Sequence, residues 1–146
     1  MTGDCLICAK HRGEGPLVGP VVWQDDLVVV SHRPVGQDGG GVPGYLFVET
    51  RRHVAGLDGL EPDEVGAVAR AVWWGARGLR AEFGPEFVFS AVVGRAVPHF
   101  HQHVFVRHRG TPDDVGWTDG HEWSGAPRVT ADRLVELCAR LGRHFG

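Results

Sequence analysis

Hydrophobic and polar positions change period several times along the chain, and each change marks an element. In "PVVWQDDLVVVSH" (20–32) two apolar runs flank Asp25 and Asp26, which predicts two strands with a turn between them. "GQDGGGVPG" (36–44) has the glycines and proline of a loop, and "YLFVET" (45–50) reads as a third strand. From 60 to 84, "LEPDEVGAVARAVWWGARGLRAEFG" switches to a helical period. Val65, Val68, Val72, Leu79 and Phe83 are expected on its buried face. Pro62, Asp63 and Glu64 suit its first turn, and Gly84 suits its end. "EFVFSAVV" (86–93) and "HFHQHVFVR" (99–107) read as a fourth and a fifth strand, joined by a short turn containing Gly94. "TADRLVELCARLGRHF" (130–145) is a closing helix with Thr130 as its cap. Residues 109–128 keep no period. This order predicts an α+β fold: a mainly antiparallel five-stranded sheet, one long helix and a C-terminal helix, in a single domain spanning 1–146.

Within the fifth strand, His99, His101 and His103 occupy alternate positions and are expected to share one face. Phe100, Gln102 and Val104 take the other, with Gln102 near an exposed end. Two chemistries fit such an alternation. The histidines could ligate one catalytic metal, or one could be a nucleophile while its neighbours handle phosphate or metal. The isolated His11, His108, His121 and His144 are expected to have no chemical role.

Composition narrows the setting. The 146 residues carry 15 basic and 18 acidic side chains, a formal net charge of -3, which argues against general nucleic-acid binding but not against a small phosphate-bearing ligand. No apolar run is long enough for a membrane helix, and "MTGDCLICAK" lacks a basic region followed by an apolar block, so the expected location is the cytoplasm. Lys10 is the only lysine and Ile7 the only isoleucine. Cys5 and Cys8 form C-x-x-C, half of a zinc site by spacing, while Cys138 reads as buried filler. With His53 and His99 the pair would make a closed Cys2His2 site, and four protein ligands make a zinc structural.

"HFHQHVF" resembles the His-x-His-x-His motif of the histidine-triad (HIT) nucleotide hydrolases and transferases. "CLICAKHRGEGP", "RPV" followed by "VPGYLFVETRRHV", and "FVRHRGTP" with the later "EWSGAPR" are similar, in the same order, to segments of bacterial members. The resemblance implies a covalent nucleotidyl-histidine at His101, with His103 contacting phosphate or the leaving group. It also implies a structural Zn2+ at Cys5, Cys8, His53 and His99, and a homodimer. The substrate would be a nucleotide-like phosphate ester, anhydride or phosphoramidate. Arg95 and Arg107, with the backbone around Gly94, are the candidates for holding its phosphate. Where the family has an acidic ribose-binding residue this chain has Ser31 or His32, and the asparagine and glutamine common before the triad are missing from "FSAVVGRAVPH". The expectation is therefore a substrate other than an ordinary adenosine compound. The alternatives are a catalytic-zinc hydrolase and a nucleotide-binding protein without turnover. Trp117 and Trp123 are expected in the core or over the pocket. Of the adjacent Trp73 and Trp74, one should be core.

Overall fold

The computed structural model describes residues 5–146. Helix α1 (Leu6–His11) leads into strands β1 (Val21–Gln24) and β2 (Val28–His32), then β3 (Gly40–Gly41) and β4 (Tyr45–Thr50). A 3-10 turn at Leu57–Gly59 precedes the long helix α2 (Pro62–Phe83). Strands β5 (Phe87–Ala91) and β6 (His101–Arg107), the short β7 (Val129–Thr130) and helix α3 (Ala131–Gly142) complete the order. Five strands form one antiparallel sheet in the order β1-β2-β4-β6-β5, and β3 pairs with β7 in a separate two-stranded ladder. Among the described residues, no helix is long and apolar enough to cross a membrane.

The two faces of the sheet have different jobs. Val28, Val30, Leu46, Val48, Phe100, Val104 and Val106 point to one side, where they meet Ala67, Val68, Ala71 and Leu79 of α2 and Leu134, Leu137, Cys138 and Leu141 of α3. Burying each large aliphatic side chain there contributes about 1.5–3 kcal/mol. The alternate positions of β4 and β6 are Tyr45, Phe47, Glu49 and His101, His103, Phe105, and they populate the other side. Helix α2 starts with a capping box, in which the Glu64 side chain accepts from the Glu61 N–H and the Glu61 side chain caps the third helical residue. It ends at Gly84 in the left-handed conformation.

Several expectations need correction. Val65 is half exposed, not buried. The helix sits too close to the sheet for large residues throughout. Its contact stripe is completed by Ala67, Ala71, Gly75 and Gly78, and a Cβ on Gly75 would already lie 3.4 Å from Leu46 Cδ1. The connection between β5 and β6 runs from 92 to 100, longer than a short turn, and β6 begins at His101, so His99 lies outside the strand. Helix α1 has no counterpart among the elements read from sequence. Trp74 packs against Trp23 and Phe145, whereas Trp73 is exposed with Arg77 over its ring.

Candidate functional site

Two sites meet at the start of β6. The first is formed by α1. Cys5 caps that helix, its Sγ accepting from the Cys8 N–H, so both thiols face one point. His53, just after β4, and His99, just before β6, bring imidazoles to the same point. His53 Nδ1 lies 3.3 Å from His99 Nδ1, Cys8 Sγ lies 3.4 Å from His53 Nδ1, and both sulfurs lie 3.5 Å from His99 Nδ1. Tetrahedral zinc with ordinary bond lengths requires about 3.3 Å between nitrogens and about 3.5 Å between sulfur and nitrogen. The four donors therefore fit that ion. His99 is fully buried, and its Nε2 lies 2.6 Å from the Thr50 carbonyl, which fixes the proton on Nε2 and leaves Nδ1 as the ligand atom. Burial also holds the ring below its usual pKa, favouring the neutral form that ligates.

The second site is a cavity of about 380 Å3 on the polar face of the sheet. His101 and His103 line it from β6, Tyr45, Phe47 and Glu49 from β4, and Arg33 from the end of β2. His101 and Glu49 are cross-strand neighbours, as are His103 and Phe47. His101 Nδ1 donates to the His99 carbonyl at 2.7 Å, so its Nε2 keeps a lone pair. The same residue that offers Nδ1 to the metal group thus sets the tautomer of its neighbour through its backbone. His103 Nδ1 lies 2.8 Å from the Tyr45 hydroxyl. Burial, with the nearby His101, Arg33 and His121, pushes the His103 pKa down. The three histidines do not converge on one metal: His99 joins the thiols, and His101 and His103 face the cavity.

The expected phosphate-binding and sugar-binding residues are distributed differently from the sequence reading. Arg107 does not reach the cavity. It is buried, and its guanidinium donates to the carbonyls of Pro112, Val115, Gly116 and Trp117, because the loop after β6 has no ladder of its own. Ser31 is fully buried in β2, away from the cavity. His32 is buried too: its Nε2 accepts from the Gly44 and Tyr45 N–H groups while Nδ1 donates to the Arg33 carbonyl. Gly94, at φ +68°, and the exposed Arg95 sit in the β5–β6 connection, which reaches the cavity wall through Val97 instead.

Arg33, Lys10 and Glu49, which carried no expectation from the sequence, and His121, which was expected to have no chemical role, are all in the wall. Arg33 lies over the Tyr45 ring, 5.3 Å from its centroid. His121 comes from the aperiodic segment and rests its ring against Tyr45 at 4.7 Å, a contact no local pattern signals. His11 is not isolated either, since its Nε2 lies 3.0 Å from Glu49 Oε1 and its ring meets His99 edge-on. His108 and His144 are structural, held by the Pro43 carbonyl and by Glu82. Trp117 neither enters the core nor lines the cavity. It is 64% exposed and leans on Phe87 and Phe89. Trp123 is partly buried but does not line the cavity.

No protein-family model and no curated protein matches the sequence. Solved structures do match its shape. A Hit-like protein from Bartonella henselae, described as involved in cell-cycle regulation, superposes with a TM-score of 0.69 at 18% identity, covering 98% of each chain. A Zn-bound histidine triad family protein from Mycobacterium smegmatis gives 0.67 at 21% identity, over 98% of this chain and 96% of that one. A hypothetical histidine triad nucleotide-binding protein from Sulfolobus tokodaii gives 0.68 at 15% identity, over 95% and 92%. Identities this low speak for the backbone and not for the chemistry, and on that ground the chain has the histidine-triad fold.

Proposed function

We propose that the protein is a nucleotidyl hydrolase or transferase in which His101 becomes covalently joined to phosphorus. The observation that carries this is the His101 ring itself. One nitrogen is committed to the His99 carbonyl and the other is free, in a ring that opens on a cavity of nucleotide size. In the first step His101 Nε2 donates its lone pair to the phosphorus of an ester, anhydride or phosphoramidate. The bond from phosphorus to the leaving group breaks with its electron pair, and the leaving group takes a proton. In the second step water or another acceptor attacks the same phosphorus, loses a proton and frees His101. His103 stands one strand repeat away, braced by Tyr45, where it can contact the phosphoryl oxygens or the departing group. Arg33 supplies positive charge at the rim. Ser31, His32 and Arg107 support the walls and do not touch substrate. Any part played by Gly94 and Arg95 goes through the position of Val97.

The metal in this reading is a structural zinc at Cys5, Cys8, His53 and His99, which ties α1 to the sheet. The deciding experiment is substitution of His101 by alanine, with turnover of nucleoside phosphoramidates and bound zinc both measured. The proposal expects loss of turnover and of labelled phosphorus on the protein, with about one zinc per chain retained. Loss of zinc along with activity would support a catalytic metal instead.

A further inference from the structure

The cavity wall also holds a buried charge that has no part in the steps proposed above. The Lys10 side chain is only 6% exposed, yet the residue lines the cavity. One of its N–H groups bonds Glu49 Oε2 at 2.8 Å, and the nitrogen lies 4.9 Å above the Phe47 ring. Its other two N–H groups have no acceptor among the described residues. Glu49 cannot serve the ligand in the same way, because Oε1 is 3.0 Å from His11 Nε2 and Oε2 holds Lys10. Burial alone would raise the Glu49 pKa, but those two partners outweigh it and hold the carboxyl below the usual range, so it stays ionised. This part of the wall therefore offers the two free Lys10 donors, beside a carboxylate whose oxygens each already hold a partner.

Its position says which part of a ligand would meet it. Glu49 is the cross-strand neighbour of His101, and Ile7, Leu17, Phe47 and Val97 give the same cavity apolar sides suited to a flat ring. Arg33 brings positive charge, and His121 an imidazole that burial and the Arg33 charge hold toward its neutral form, from other elements. With phosphorus at His101, a base seated among the apolar sides presents an edge to Lys10.

We propose that Lys10 selects the base, so that the cavity favours nucleotides with a carbonyl oxygen at purine C6 or pyrimidine C4 (hypoxanthine, guanine or uracil) over those with an amino group at the same position (adenine or cytosine). This rests on the nucleotide reading of the same cavity. A carbonyl oxygen accepts from the ammonium. An amino group sets N–H against N–H and leaves the ammonium donors unmatched.

Inosine and adenosine 5'-phosphoramidates differ at that edge and match elsewhere, so they isolate the effect. The expected preference for inosine in kcat/KM is about tenfold or more. It should vanish in Lys10→Met. It should also vanish in a Lys10→Met, Glu49→Gln double variant, which leaves no unpaired buried carboxylate to unfold the site. Bound zinc reports whether α1 stays in place. Because Lys10 is the only lysine, labelling with [15N]lysine gives one side-chain signal, and inosine monophosphate should shift it while adenosine monophosphate does not. Equal or adenosine-favouring turnover, or a preference that survives loss of Lys10, overturns this assignment and leaves the His101 chemistry standing. Absence of turnover with both substrates overturns the catalytic reading, and the lysine signal then decides base selection alone.

Discussion

His32 should make the protein acid-sensitive in a defined window. Its Nε2 accepts from the Gly44 and Tyr45 N–H groups at 2.8 and 3.2 Å, and its Nδ1 donates to the Arg33 carbonyl at 2.8 Å. Only the neutral ring can do both. Protonation would aim a third N–H at two others. Burial, with the nearby Arg33 charge, outweighs the bond to the Arg33 carbonyl and lowers its pKa from 6.5 to about 4. The sign follows from proton counting. Above pH 6.5 the ring is neutral in native and unfolded chains, and stability is unaffected. Between 6.5 and 4 the unfolded chain binds a proton that the native state refuses, so stability is lost as pH falls. That loss is about 2 kcal/mol at pH 5 and levels off near 3 kcal/mol below pH 4. Urea unfolding at pH 7 and pH 5 measures it, with His32→Gln as the control that cannot titrate. The variant starts lower, because two N–H groups are less well satisfied. It should lose about 2 kcal/mol less than the parent over the same interval. Nitrogen NMR of the native ring gives an independent reading, expected to stay in the Nδ1–H form down to about pH 5. Equal losses in the two proteins, or a ring that titrates near 6.5, would refute the argument.

Other consequences are as direct. Tyr45→Phe removes the hydroxyl 2.8 Å from His103, and the half-buried bond is worth about 0.5–1.5 kcal/mol, so kcat should fall by about twofold to tenfold with little change in melting temperature. Arg107→Met strips four carbonyls of their donor, so stability should drop by about 3 kcal/mol and limited proteolysis should cut first within 109–118. Cys8→Ser, or exhaustive chelation, should remove the zinc proposed for the Cys2His2 group and lower the melting temperature, measured by metal analysis and calorimetry; an unchanged melting curve in metal-free protein would contradict a structural ion. The expected homodimer is tested by light scattering on the parent and on Phe87→Glu: Phe87, Val93 and Trp117 are exposed at or beside the edge strand β5, so the parent should be dimeric and the variant monomeric.

Much of the fold was legible because its signals are local. "YLFVET" coincides with β4, the acidic first turn and Gly84 bracket α2, and Thr130 caps α3, its hydroxyl accepting from the Arg133 N–H. What failed depended on distance. A valine at position 65 satisfies a helical period as well as Ala67 or Ala71 does; only the closeness of the sheet, felt at Gly75, makes small residues the buried ones. Helix α1 is six residues long, too short to show a period, and it is held by its thiol cap and by the group around His53 and His99. The β3–β7 pairing joins residues about 90 apart, a separation that composition does not record.

The site divides along the same line. The histidine alternation is a local pattern, and it located the two rings that face the cavity. It could not locate the cavity's other walls, because those arrive by tertiary routes. Lys10 is carried in by the helix that Cys5 caps and that bears Cys8, and His121 by a segment whose shape depends on Arg107 and its four carbonyls. Arg107 shows why residue type alone misleads. An arginine in register with a histidine face invites a phosphate role, yet the carbonyls of an aperiodic loop need donors just as a phosphate does, and they are covalently nearer. His32 illustrates the converse. With Ser31 it was expected at the sugar-binding position, but two backbone N–H groups at a tight glycine claim its lone pair first. Gly44 holds φ at +104°, and a Cβ there would sit 2.6 Å from Val106 Cγ2. A Gly44→Ala chain should therefore be destabilised by about 2 kcal/mol or more and lose the Tyr45 brace on His103, coupling a turn in the backbone to the chemistry of the neighbouring strand.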